Sequence, residues 1–148
     1  MVKLAFKKSD GSISNKLISW WTKSEFVHVE MIINNKWISS NSDTGGVTIA
    51  NLRPLKDNWT YIDINIPNYY NTVNNTMNFI YNQKDRKYDW CGLLCSQIFK
   101  TTIDTKNRWF CSEIVAEILK KLKEPGIILQ DKESNSYSPG DLFKFYKG

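Results

Sequence analysis

Cysteine, histidine and arginine are all scarce in this sequence, which has three cysteines, one histidine and only three arginines among its 20 basic residues. Three cysteines cannot all pair, and their uneven spacing at Cys91, Cys95 and Cys111 gives no disulfide framework, which favours a reducing compartment. The net charge of +5 comes mainly from dispersed lysines, whereas nucleic-acid surfaces cluster basic residues and favour the arginine fork. We therefore expect a cytoplasmic protein without a nucleic-acid partner.

Long apolar runs are missing too. No run approaches the roughly 18 residues that a transmembrane helix needs, and the apolar segment at the N-terminus is too short for a signal peptide. A hydrophobic content of 41%, with 14% aromatic residues, nevertheless argues against disorder. We expect residues 1–148 to form a single globular domain with one core and no transmembrane segment.

Two segments rich in β-branched residues, 26–33 and 36–41, surround a pair of asparagines. Asn34-Asn35 favours a hairpin, because asparagine tolerates the positive φ of a primed turn. If Ile33 faces Lys36, directly opposed residues share a face of the hairpin. That register places on one face His28, Glu30, Ile32, Trp37, Ser39 and Asn41.

The remaining elements are predicted from apolar spacing. Short runs bounded by turn residues predict strands at 2–6, 47–52 and 59–66. Helical spacing predicts helices at 12–21, 69–83, 90–99 and 108–122, and a short final helix capped at Ser138. Together they predict an α+β fold, in which a small antiparallel sheet or half-barrel of about four to six strands packs against helices.

The helix predicted at 108–122 carries one apolar stripe, formed by Cys111, Ile114, Val115, Ile118, Leu119 and Leu122. Cys111 lies in its first turn, where unpaired backbone N–H groups and the helix dipole favour a thiolate over a thiol. A cysteine at the head of an apolar stripe is often only a small packing residue. A partner base elsewhere in the chain would favour the catalytic interpretation.

His28 can supply that base. A histidine on a strand and a cysteine at a helix start are the minimum for a thiolate–imidazolium nucleophile. Glu30, Ser39 and Asn41 share the predicted face and can orient the ring. We rank Glu30 first because it lies on the same face of the same strand as His28, two residues along and about 7 Å away. The backbone N–H of Cys111 is then the natural oxyanion donor.

Zinc binding is the alternative use of the cysteines. Cys91 and Cys95 could join Cys111 and His28 as a ligand set. Helical cysteines with three residues between them also occur through packing, and structural zinc sites usually use tighter knuckles. We therefore expect no metal and no cofactor.

Five short motifs occur in a recognisable order: Phe26-Val-His-Val-Glu-Met-Ile, Gly45-Gly-Val, Tyr88-Asp-Trp, Trp109-Phe-Cys-Ser-Glu-Ile-Val and Ser138-Pro-Gly-Asp-Leu. This order resembles the circularly permuted branch of the NlpC-type, papain-like superfamily, over about residues 18–142. In that branch the histidine strand precedes the cysteine helix, and similar sequences occur in bacterial, phage and poxvirus proteins. The resemblance implies a permuted papain-like fold in the cytoplasm of a bacterium or of a virus-infected cell.

The resemblance also implies an activity. It assigns Cys111 as nucleophile and His28 as base of a cysteine hydrolase that cleaves an amide or peptide bond, of cell-wall or isopeptide type, through an acyl-enzyme. Tyr88, at the start of a helix, matches an aromatic position beside the nucleophile, although a core or cap role fits it equally well; Ser112 is a second candidate on the substrate or oxyanion side. A lipid acyltransferase or thioesterase can use the same dyad. Because neither Ser39 nor Asn41 is an acid, a catalytically silent host-interaction module is a further alternative.

Overall fold

The computed structural model describes residues 1–89, 108–122 and 132–148, and within them not the side chains of residues 13, 14, 17, 18, 21 and 108. The strands are β1 (Val2–Lys8), β2 (Phe26–Ile33), β3 (Lys36–Asn41), β4 (Gly46–Asn51), β5 (Trp59–Ile64), β6 (Lys87–Tyr88) and β7 (Arg108–Trp109). They form one sheet in the order β5-β1-β2-β3-β4-β6-β7. All neighbours pair antiparallel except β7, which lies parallel to β6. The predicted α+β class is confirmed, with an open sheet.

The described helices are α1 (Ile13–Thr22), α2 (Tyr69–Gln83), α3 (Cys111–Lys121) and α4 (Pro139–Lys147), with a short 3-10 turn at Ser134–Ser136. The predicted cap of the last helix is confirmed, because Ser138 Oγ accepts a hydrogen bond from the Asp141 N–H at 3.1 Å. The helix predicted at 90–99 lies outside the described residues. No helix in the described part of the chain has the length and apolar character that crossing a membrane requires.

The predicted hairpin between β2 and β3 is confirmed. Asn34 and Asn35 adopt φ angles of 49° and 58°, as a primed turn requires. Ile33 pairs with Lys36, and the next two pairs follow the predicted register. Among the described residues the ladder between β2 and β3 then ends at Met31, whereas β3 stays paired with β4 along its whole length. The two strands therefore diverge towards the end that carries His28.

Strand β2 separates two environments, because successive side chains point to opposite faces of the sheet. Val29, Met31 and Ile33 have no exposed surface and belong to the main apolar core beneath the helices. Ile32 lies on the other face, where it forms a smaller buried cluster with Ala5 and Trp37. The main core therefore uses only one side of the strand.

The apolar stripe of α3 is confirmed, since all six of its predicted residues are buried. The helix packs against both β2 and β3. Phe110 precedes it in an extended conformation, and its N–H donates to Glu113 Oε2 at 3.3 Å. This hydrogen bond is one of the two that make up a capping box, and it fixes Cys111 as the first residue of the helix.

Candidate active site

The start of α3 is held against the diverging end of the hairpin. Ser40 Oγ on β3 donates to the carbonyl oxygen of Trp109 at 2.7 Å. The indole Nε1 of Trp109 donates to Gln83 Oε1 at the end of α2, at 3.1 Å. These two anchors fix the backbone immediately before Cys111 from two different elements.

Ser112 supplies a third anchor. Its hydroxyl is fully buried and donates to the carbonyl oxygen of Tyr137 at 2.5 Å, and its predicted place on the substrate or oxyanion side stays a prediction. Its backbone N–H instead donates to the sulfur of Cys111. The residue therefore helps to hold the start of the helix and to stabilise a thiolate there.

Cys111 and His28 come together at this point. Their side chains form a hydrogen bond, and the sulfur also accepts the backbone N–H groups of Val29 and Ser112. Only 3% of Cys111 is exposed. Three donors therefore converge on a sulfur that is almost removed from water.

This surrounding favours an ion pair. Burial would raise the pKa of the Cys111 thiol, but the charge and hydrogen bond of His28 and the two backbone N–H groups lower it overall. Burial would likewise lower the pKa of His28, but the Cys111 thiolate and the Glu30 carboxylate raise it to about 9. The lowered pKa of Cys111 and the raised pKa of His28 therefore both favour the thiolate–imidazolium pair over the neutral pair.

The other side of the imidazole faces Glu30 and Ser39. His28 Nε2 lies 3.3 Å from Glu30 Oε1 and 3.4 Å from Ser39 Oγ. Asn41 is one contact further away, because its Nδ2 donates to Ser39 Oγ at 3.2 Å. With Nε2 turned to these groups, we infer that Nδ1 is the nitrogen that faces Cys111. The structure thus brings all three candidate orienters to the ring, Glu30 and Ser39 directly and Asn41 through Ser39.

Arg53 is a residue of this site that the sequence analysis missed. Its guanidinium pairs with Glu30 Oε2 at 2.6 Å, while the other carboxylate oxygen faces His28. Burial would raise the pKa of Glu30, but the hydrogen bond and charge of His28, the charge of Arg53 and a hydrogen bond from Ser39 lower it. Glu30 therefore remains a carboxylate although only 5% of it is exposed.

Tyr88 lies in strand β6, and the helix predicted to follow it at 90–99 lies outside the described residues. Long-range pairing decides the conformation of Tyr88: its N–H donates to the Gly45 carbonyl at 2.9 Å, and it pairs with Trp109 on β7. Strands β4 and β6 approach so closely at Gly46 that a Cβ there would clash with the Arg86 carbonyl oxygen. Local helical spacing contains no information about these contacts.

The environment of Tyr88 keeps its phenol protonated. Burial, the Cys111 thiolate and the Asp89 carboxylate all raise the pKa of this hydroxyl. Tyr88 also lines the cleft in front of His28. Its protonated phenol therefore lies in the cleft beside His28, and its place on the oxyanion side stays a prediction.

A cleft of about 590 Å³ opens beside the imidazole. Its walls come from β1, α1, the β3–β4 turn and the segment before β5, and most of its side chains are polar. Two carboxylates and two lysines contribute to it. The lining residues are Lys7, Asp10, Ser12, Asn15, Val27, His28, Asn41, Ser42, Asp43, Lys56, Asn58, Trp59 and Tyr88.

The alternative zinc ligands Cys91 and Cys95 lie outside the described residues. Within residues 1–89, 108–122 and 132–148, no group of three or more His, Cys, Asp or Glu side chains is arranged to hold a metal ion. Cys111 and His28 instead contact each other and the groups named above.

No protein-family model and no curated protein sequence matches this chain. The resemblance to the permuted branch of the NlpC-type superfamily therefore stays a prediction. What the site can do chemically follows from the contacts of Cys111, His28 and Glu30.

Proposed function

We propose that the protein is a cysteine hydrolase that cleaves an amide or peptide bond through an acyl-enzyme. The observation that carries this proposal is the chain of contacts from Cys111, at the start of a helix, to His28 and on to the buried carboxylate of Glu30. This is the arrangement of an activated nucleophile, a base and a group that orients the base. Cys111 and His28 are the proposed catalytic residues, and Glu30 the proposed orienter.

The first half of the reaction uses the ion pair. The Cys111 thiolate attacks the carbonyl carbon of the substrate, and the new C–S bond produces an oxyanion. The backbone N–H of Cys111, which has no acceptor among the described residues, and the Tyr88 hydroxyl are the proposed donors to this oxyanion. The C–N bond then breaks as the His28 imidazolium gives its proton to the leaving amine, which leaves a thioester and a neutral imidazole.

The second half restores the enzyme. Neutral His28 removes a proton from a water molecule, which attacks the thioester carbonyl. The C–S bond breaks, the carboxylic acid product leaves, and the thiolate and the imidazolium are present again. Glu30 favours the imidazolium at the end of this step because its charge raises the pKa of His28.

The polar cleft favours an amide or peptide substrate over a long acyl chain. An acyl chain needs an apolar channel to gain binding energy from burial, whereas this cleft presents Lys7, Asp10, Asp43 and Lys56. The lipid acyltransferase alternative therefore fits the geometry less well. We place the enzyme in a reducing compartment, the cytoplasm of a bacterium or of a virus-infected cell, since its nucleophile is a free thiol.

Site-resolved labelling tests the proposal. The folded protein is treated at neutral pH with one equivalent of iodoacetamide, and peptide mass mapping then locates the adduct. Cys111 should react faster than Cys91 and Cys95, because its thiolate is stabilised by His28. Equal or slower labelling of Cys111 would contradict the nucleophile assignment.

Trapping the covalent intermediate separates an enzyme from a silent module. Activated peptide esters and amides should add an acyl mass to the wild-type protein and then lose it on hydrolysis. Cys111→Ser should lower turnover by about a thousandfold or more, because serine lacks a stabilised anion at neutral pH. A reactive Cys111 without any acyl turnover on such substrates would favour the binding-module alternative.

A further inference from the structure

Four side chains are linked by contacts that start and end at the imidazole, and we call them the imidazole clamp: Glu30, Arg53, Trp37 and Trp59. Glu30 contacts His28 Nε2 at 3.3 Å and the Arg53 guanidinium at 2.6 Å. Arg53 lies 4.5 Å above the ring of Trp37. Trp37 packs edge-to-face on Trp59 at 6.3 Å between ring centroids, and Trp59 packs in the same way on His28 at 6.0 Å. The contacts therefore form a closed circuit that begins and ends at His28.

We propose that Arg53 is a positioning residue, which closes the imidazole clamp and so holds His28 in the orientation that Cys111 requires. This inference rests on the proposed function. Arg53 contacts neither the sulfur nor the imidazole in the described structure; it acts through Glu30 on one side and through Trp37 and Trp59 on the other.

The chemistry of a guanidinium suits both contacts at once. Its edge donates to a carboxylate while its flat face stacks on an aromatic ring, which the compact ammonium group of lysine does less well. Glu30 also needs a cation, because an unpaired buried carboxylate is costly. If Arg53 is removed, Glu30 keeps His28 and Ser39 as partners but loses the cation on its other oxygen, and a shift of the carboxylate towards water would loosen its hold on His28.

The aromatic half of the clamp depends on packing. Trp37 is buried, and its indole N–H has no hydrogen-bond partner among the described residues. Its orientation is therefore set by packing and not by a hydrogen bond, with Arg53 and Trp59 among the neighbours that pack against it. Loss of the guanidinium above Trp37 should also release Trp59, the side chain that packs on the far side of the imidazole.

The test compares two substitutions of Arg53 by the rate of Cys111 alkylation between pH 5 and pH 9. Arg53→Met removes the charge and the planar donor but keeps an apolar stem over Trp37. The acid limb of the rate profile should move up by about one pH unit, which lowers the rate at pH 6 about tenfold. Arg53→Lys keeps the charge and should recover part of this loss. A merely structural role would change stability without moving the profile.

Lys36→Met is the matched control, because it removes a cation from β3, next to the clamp residue Trp37. Lys36 Nζ donates to Asn51 Oδ1 at 2.7 Å and is not part of the clamp, so its profile should match the wild type. A wild-type profile for Arg53→Met, with Cys111 fast at pH 6, would overturn the inference and leave the proposed function intact. A wild-type Cys111 no faster than an unstructured thiol would overturn the proposed function itself.

Discussion

The two faces of strand β2 differ in what their side chains do. On one face Val29, Met31 and Ile33 are sealed into the core that joins the sheet to α3. On the other, His28 and Glu30 alternate with them, contact each other, and His28 also contacts Ser39 across the hairpin. Consecutive residues thus contribute separately to stability and to chemistry. The apolar face packs against the helix that carries Cys111, and the polar face presents His28 to that cysteine.

This difference between the two faces explains why Cys111 and His28 pair at the end of the hairpin where β2 and β3 diverge. Where the strands pair, a side chain from one face cannot reach the other. Beyond Met31 the ladder is open in the described structure, so the Val29 N–H can donate to Cys111 instead of to β3. A core helix can therefore bring its first side chain to a histidine on the opposite face.

Met31→Ala should have the largest effect on the apolar face. Met31 is fully buried, and removal of such a side chain costs about 2–5 kcal/mol in the free energy of unfolding through lost burial and a residual cavity. Urea unfolding would measure this loss. The alkylation rate of Cys111 in the folded fraction should stay close to that of the wild type. Met31→Leu, which conserves volume, is the control and should cost much less.

Glu30→Gln alters the residue next to Met31, but its effects should be the opposite: a large change in the alkylation rate of Cys111 and a small change in stability. It keeps the shape of the side chain but removes the charge that favours the imidazolium. The alkylation rate of Cys111 at pH 6 should fall about tenfold, because the pKa of the Cys111 thiol should rise by about one unit. The free energy of unfolding should fall by about 1 kcal/mol or less, since Arg53 is partly exposed and can be hydrated. A loss of stability as large as that of Met31→Ala would contradict the view that the two faces contribute differently to stability.

Ser39→Ala should produce the smallest change. Its hydroxyl contacts Nε2 at 3.4 Å, next to the stronger contact from Glu30. Loss of one neutral hydrogen bond should lower the alkylation rate at pH 6 about threefold. An effect larger than that of Glu30→Gln, measured in the same assay, would make Ser39 the main orienter of His28.

Much of this arrangement could be predicted from local pattern. The Asn34-Asn35 turn and the alternation around it determined the register, and the register predicted which residues share a face with His28. Helical spacing likewise predicted the buried side of α3. Both features depend on residues close in sequence, so a single chain contains the information.

Arg53 and Tyr88 could not be placed in that way. Arg53 reaches Glu30 from the segment after β4, and its neighbour Trp59 reaches His28 only because β5 and β2 both flank β1 in the sheet. Tyr88 joins a two-residue strand whose partners are distant in sequence. Sheet order and long-range pairing decide these contacts, and strand periodicity alone determines neither.

The pH dependence of Cys111 alkylation tests the central claim, that Cys111 and His28 form an ion pair, most directly. Peptide mapping would follow the adduct on Cys111 from pH 8 to pH 6 in the wild type and in His28→Ala. Because its thiol pKa is lowered, the wild type should lose much less of its rate between pH 8 and pH 6 than His28→Ala does. In His28→Ala the thiolate should behave as an ordinary one, with a rate that falls about tenfold per pH unit and about a hundredfold in all. Equally steep profiles for the two proteins would contradict the ion pair.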